Sequence, residues 1–199
     1  MHRIEEFYTF APGGALLYPP DTTTMKTAIF PGTFDPFTRG HQAVVEEALG
    51  LFDRLIIAIG DNCNKHTLLT SENRLRMIKD LYASEQRVEC VTYDTLTGEL
   101  AREYGAVAIV RGVRNTVDFE YERTMAQINR RIFPEITTVV LFTPPDLTDI
   151  ASSTVRELLA FGRDVSDMVP EGIDINDYLH CPAAQMQPPY GSAGRIERT

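Results

Sequence analysis

The stretch 30–41 reads FPGTFDPFTRGH, with two glycines, two prolines, two threonines and a closing histidine behind a short apolar run. His41 falls in the first turn of the helical pattern that follows. There, unpaired backbone N–H groups and the helix dipole favour a phosphate, and Gly40 lets the backbone approach a ligand closely. The same dipole disfavours an imidazolium, so His41 is expected to act as a neutral hydrogen-bond donor unless a bound phosphate restores its charge. A lone histidine here would do no more than cap a helix; the density of Gly, Thr and Pro around it points to a phosphate site. Asp35, the nearest carboxylate, is expected to fix the turn before Pro36 through an Asx-type hydrogen bond rather than act as a base.

Similar chemistry recurs after other apolar runs. DNCNKHT carries Lys65, RGVRN carries Arg111 and Arg114, and PPDLTDIASST carries Ser152, Ser153 and Thr154. Cations and hydroxyls of this kind, gathered with Thr33 and Thr38 at one rim, form an anion site suited to a phosphate-bearing ligand. Neither G-x-x-x-x-G-K-[ST] nor, after the first apolar run, G-x-G-x-x-G occurs. The site is therefore neither a P-loop nor a dinucleotide fingerprint.

The elements that must position these groups alternate. Short apolar segments at 27–30, 55–60 and 106–112, with 87–94 and 137–143 beside them, read as strands, and helical periods at 41–52, 71–83, 98–105, 118–133 and 152–162 read as helices. Thr70 or Ser71 should open the second helix, Gly105 should close the third, and a serine should cap the last, which Gly162 ends. The predicted fold class is α/β: a Rossmann-like, doubly wound parallel five-stranded sheet with helices on both faces. Ligands of such sheets bind outside the carboxyl ends of the strands, where the groups above lie.

The chain has 199 residues, enough for one domain with a sizeable core. We expect a flexible leader over 1–24, a domain over 25–180 and a flexible tail over 181–199. With 28 acidic and 19 basic side chains the net charge is −9, the reverse of a nucleic-acid binder's balance. Cys63, Cys90 and Cys181 are too dispersed for a zinc site or a disulfide framework, which suits a reduced cytoplasm. No run approaches the length of a membrane span, and the first ten residues lack the form of a signal peptide.

Thr38-Arg39-Gly40-His41 resembles the (T/H)-x-G-H signature of nucleotidylyltransferases. IVRGVRNTVDFEYERTMAQINRRI is more specific: it is similar to the R-G-x-R…D-F-E-Y-E…N-R segment of the bacterial phosphopantetheine adenylyltransferase family. The resemblance runs from about Lys26 to Pro170. It implies adenylyl transfer from ATP to 4′-phosphopantetheine with Mg²⁺, giving 3′-dephospho-coenzyme A and pyrophosphate. It also implies a homohexamer with feedback binding of coenzyme A. By position, His41 would stabilise the transition state on the ATP phosphates, and Thr33 would bridge ATP and acceptor beside Phe34. Lys65 and Arg111 would hold the acceptor phosphate, and Thr97 would line the pantetheine arm. Gly112, Val113, Arg114 and Glu122 would contact ATP, with the segment Leu147, Thr148, Asp149, Ile150, Ala151, Ser152 and Ser153 closing over it. Ala151 departs from the family's serine run.

The implied nucleophile is a phosphate monoester with a second pKa of about 6, hence already mostly dianionic at neutral pH. No general base is required; positioning and electrostatics carry the step. An adenylyl or cytidylyl transferase acting on another phosphorylated acceptor, such as nicotinate mononucleotide, shares the signature and the serine segment. The RGVR and DFEYE segments favour phosphopantetheine.

Overall fold

Apolar runs that lack polar alternation are what strands covered on both faces require. In the computed structural model such runs form the central strands β3 (Thr27–Gly32), β4 (Arg54–Gly60) and β6 (Ala108–Val113), and the more polar segments form the edge strands β5 (Val88–Tyr93) and β7 (Thr137–Phe142). Residues 25–61 and 67–179 are described, together with the backbone of two short antiparallel strands, β1 (Thr9–Phe10) and β2 (Leu16–Leu17). The remainder of the expected leader, the segment 62–66 and the expected tail over 181–199 lie outside the described residues.

The five strands pair in parallel in the order β5-β4-β3-β6-β7. Between them run α1 (Arg39–Leu49), α2 (Ser71–Leu81), α3 (Thr97–Glu103) and α4 (Thr116–Ile132), with α5 (Ser152–Ala160) after β7. Alternate strand residues feed two separate cores. Phe30, Leu55, Ile57, Ile59 and Val110 pack with Val44, Val45, Met77, Ile78, Val155 and Leu159 of α1, α2 and α5. Ile29, Ile56, Ala58 and Ile109 pack with Leu100, Ala101 and Phe133 on the other face. The predicted doubly wound architecture is thus the observed one.

Helix ends follow local chemistry. Thr70 caps α2, its side chain accepting the Asn73 N–H at 3.1 Å, and Asn115 caps α4 through the Asp118 N–H at 2.9 Å. Gly105 and Gly162 take φ of +61° and +65°, stopping α3 and α5 as expected. The serine cap expected for α5 is not made. Ala151 occupies that position without a side-chain bond, and the Ser152 hydroxyl instead donates to the Pro36 carbonyl at 2.8 Å. It ties α5 to the loop before α1.

After β5 the chain returns to the other side of β3, so β3 and β6 flank the switch point, where ligands of such sheets bind. There the sheet opens. β3 and β4 pair at six positions, whereas β3 and β6 pair only at Ala28–Ala108 and Ile29–Ile109. Beyond that, the Pro31 carbonyl accepts Arg111 Nη1 at 2.7 Å in place of a β6 amide. Because the N–H and C=O of one strand residue point the same way, the missing proline N–H faces this opening and breaks no ladder.

Candidate active site

His41 is the third residue of α1 and half of its cap. The Thr38 N–H donates to His41 Nδ1 at 3.0 Å, and the Thr38 hydroxyl lies 3.0 Å from the same nitrogen. In return the His41 N–H reaches Thr38 Oγ1 at 3.5 Å. Nδ1 therefore accepts, and the proton of the neutral ring sits on Nε2. The ring stands edge-on to Phe34, 5.1 Å between centroids, and lies 5.3 Å from Phe37. Phe34 itself takes φ of 50°, in the left-handed region.

Desolvation, then the charges of Arg114 and Arg111, push the His41 pKa down to about 4. The imidazole is thus a neutral Nε2–H donor across the physiological range. Between about pH 6.5 and 4 the unfolded chain takes up a proton that the folded chain refuses, so this residue's contribution to stability is lost as pH falls through that window. In a proton NMR titration of the free protein, the His41 ring resonances should stay flat from pH 8 to about 5. Adding ATP should move the titration upward, because the triphosphate opposes the effect of the two arginines. A free-protein midpoint near 6.5 would contradict this environment.

His41 opens onto a cavity of about 760 Å³ at the β3–β6 opening, a size ordinary for a small-molecule site. Thr33, Thr38, Gly40, Gly112, Arg114, Glu122, Ile150, Ala151, Ser152, Ser153 and Arg156 are among its walls. Gly112 is required by close approach: a Cβ there would stand 2.8 Å from a Val44 methyl of α1. A second cavity of about 280 Å³ adjoins it, sharing Tyr121 and Glu122 as walls and lined by Thr97, Arg111, Met125 and Phe133 among others.

The cations at this rim are held by α4. Glu122 accepts Arg111 Nε at 2.6 Å and Nη2 through its other oxygen, a bidentate pair with the carboxylate almost wholly buried. Asp118 accepts Arg114 Nε at 2.9 Å and the Arg114 backbone N–H at 3.1 Å. These contacts fix the orientation of both guanidinium groups at the rim of the two cavities.

The predicted site residues divide as follows. Thr33, His41, Gly112, Arg114, Glu122, Ile150, Ala151, Ser152 and Ser153 line the larger cavity; Thr97 and Arg111 line the smaller. Phe34 and Val113 are buried beside them, and Phe34 packs its ring on His41. Leu147 faces a different hollow on the outer side of α1, and the Thr148 hydroxyl turns back to the Pro145 carbonyl. Asp149 is exposed and is not part of either wall. Lys65 lies outside the described residues.

Among the described residues Asp35 does not make the expected Asx-type bond within its own turn. Its two oxygens accept the N–H groups of Leu68 and Leu69, each at 2.8 Å, so it anchors the approach to α2 across 33 residues. No local pattern reveals such a partner. Arg156, which donates to the Asp35 carbonyl at 2.6 Å, and the buried Arg74 leave no local sequence signal either. Both sit in helical periods where a charged residue reads as a solvated face. Tyr121, exposed on α4, stands between the two cavities. Among the described residues no group of three His, Cys, Asp or Glu side chains could hold a metal. Burial pushes the Cys90 thiol up to about 12, which removes it as a nucleophile.

The cytidylyltransferase-like family model matches residues 29–158, which spans both cavities. The chain is 51% identical over 152 residues to the phosphopantetheine adenylyltransferase of Bacteroides thetaiotaomicron, covering 76% of this chain and all of that protein. It is 52% identical over 145 residues to that of Porphyromonas gingivalis, covering 73% and 94%. Among solved structures, a bifunctional NMN adenylyltransferase/ADP ribose pyrophosphatase of Francisella tularensis superposes with a TM-score of 0.57 at 18% identity. That match covers 75% of this chain and 45% of that one, and it bears on the fold alone. With the (T/H)-x-G-H signature at the opening of the sheet and relatives matched over nearly their whole length, the chain belongs to the phosphopantetheine adenylyltransferase family.

Proposed function

We propose that the protein transfers the adenylyl group of ATP to 4′-phosphopantetheine, releasing pyrophosphate and forming 3′-dephospho-coenzyme A, the penultimate step of coenzyme A synthesis. The observation that carries this is the pair of adjoining cavities with a cation in each: Arg114 beside His41 in the larger, Arg111 beside Thr97 in the smaller. The larger takes ATP. The smaller, with its apolar walls from α4 and Phe133, takes the acceptor, whose phosphate lies toward Arg111; by the family resemblance Lys65 is its second cation.

The acceptor phosphate oxygen attacks the α-phosphorus, a new P–O bond forms, and the bond to the β-phosphate oxygen breaks with its electrons on pyrophosphate. The dianionic nucleophile needs no base. His41 Nε2–H donates to the oxygens that gain charge, Arg114 holds the departing phosphates, and Thr33 bridges the two substrates. Mg²⁺ accompanies ATP. The cavity carboxylates Asp35, Asp118 and Glu122 are all engaged by protein N–H groups, so the metal would rest chiefly on the triphosphate, where it supplies charge neutralisation.

A cytoplasmic homohexamer with feedback by coenzyme A completes the reading. Of the seventeen residues of α4 only Glu122 is buried, while Val117, Tyr121, Ile128 and Ile132 are exposed. That apolar face supports burial against further copies. No helix among the described residues is long and apolar enough to cross a membrane. Nicotinate mononucleotide as acceptor is not favoured, since the relatives at 41–52% identity carry the phosphopantetheine name. Pyrophosphate release should require ATP, phosphopantetheine and Mg²⁺ together, and stop when any one is omitted. Release without the acceptor, or none with all three, would refute the assignment.

A further inference from the structure

Arg74 is the largest fully buried side chain among the described residues, with 2% of its surface exposed. A buried guanidinium ordinarily has a carboxylate in bidentate contact; Arg74 does not. Its nearest carboxylate, Asp61, is 3.8 Å away and mostly exposed. Instead Nη1 donates to two backbone carbonyls, Thr33 at 2.7 Å and Gly60 at 3.2 Å, and Nη2 donates to the Ser71 hydroxyl at 3.0 Å. Nε has no partner.

The two carbonyls define what this side chain does. Gly60 is the last residue of β4, and Thr33 is the first beyond β3. Past its final rung a parallel ladder leaves carbonyls without amide partners, and buried carbonyls of that kind are costly. One guanidinium from α2 satisfies both and locks the strand ends to each other. Thr33 is also a wall of the larger cavity. A shift of its backbone would carry its hydroxyl away from the reacting groups.

We infer that Arg74 is a positioning residue for the transfer site: it clamps the Thr33 and Gly60 carbonyls and so aims the Thr33 hydroxyl at the substrates. The inference rests on the proposed role of Thr33 in adenylyl transfer. Lysine at 74 ends one bond short of the Nη1 position and lacks the second terminal nitrogen that bonds Ser71, so it cannot reproduce the clamp.

The test is a double-mutant cycle on kcat/KM for pyrophosphate release, with Arg74→Lys, Thr33→Val and the double variant. All are assayed well below their measured Tm, so that every enzyme is folded. The valine variant keeps the Thr33 carbonyl, so the Arg74 contact survives in it. Each single change should cost roughly a hundredfold, the scale of a misplaced or missing site group. The double variant should fall no more than a few-fold below the lower single, because both changes disable one hydroxyl. Losses that multiply, or an Arg74→Lys enzyme at the wild-type rate, would overturn the inference. A Thr33→Val enzyme at the wild-type rate would remove Thr33 from the site and Arg74's role with it. Failure of the wild-type enzyme to release pyrophosphate would instead remove the adenylyl-transfer reading.

Discussion

His41→Ala should lower kcat by roughly two to three orders of magnitude, the usual cost of removing one preorganised donor to developing charge, and leave the protein folded. The structure separates the two jobs of this residue. Nδ1 accepts the Thr38 N–H and serves the cap, while Nε2–H remains for the cavity. The structural job is the smaller. Losing one capping contact and part of an aromatic cluster costs about 1–2 kcal/mol, a few degrees in Tm for a domain of this size. Glutamine can return an acceptor to the Thr38 N–H, as in an ordinary capping box. His41→Gln should therefore regain most of the lost stability and little of the lost activity. Turnover near normal in the alanine variant, measured by pyrophosphate release, would remove His41 from the chemistry.

The second large effect is expected at Arg111. Its partner Glu122 has only 9% of its side chain exposed, so removing the guanidinium strands a nearly buried carboxylate. Arg111→Met should cost about 2 kcal/mol of stability, less than for a fully enclosed pair because Arg111 is itself partly exposed. It should also raise the acceptor KM by roughly ten- to a hundredfold, the value of a charged hydrogen bond to phosphate. Combining Arg111→Met with Glu122→Gln should restore the melting temperature, since no unpaired charge remains, without restoring the acceptor KM. Recovery of both together would mean that Arg111 only neutralises Glu122.

The parallel fold was legible because the central strands are short apolar runs and the helices show a 3.6-residue period, with Thr70 opening α2 and Gly105 and Gly162 closing α3 and α5. Half of the site followed from that. Groups just beyond a strand converge whatever lies between them, which is why Thr33, His41, Arg114 and Ser152 meet across more than a hundred positions. The remainder depends on long-range partners that leave no local mark. Asp35 reads as a turn residue until Leu68 and Leu69 are seen to donate to it. Arg74 reads as a solvated helix charge until it is found beneath two strand ends. The serine expected to cap α5 failed for a related reason: the Pro36 carbonyl, distant in sequence, takes the Ser152 hydroxyl.

In the proposed function substrate choice rests on the smaller cavity, whose walls include apolar residues of α4 and Phe133. The direct measurement is kcat/KM for pyrophosphate release at fixed ATP and Mg²⁺ with phosphopantetheine and, separately, with nicotinate mononucleotide. Phosphopantetheine should be preferred by at least about a hundredfold, the discrimination a shaped pocket gives. Equal rates, or preference for the nucleotide, would contradict the account.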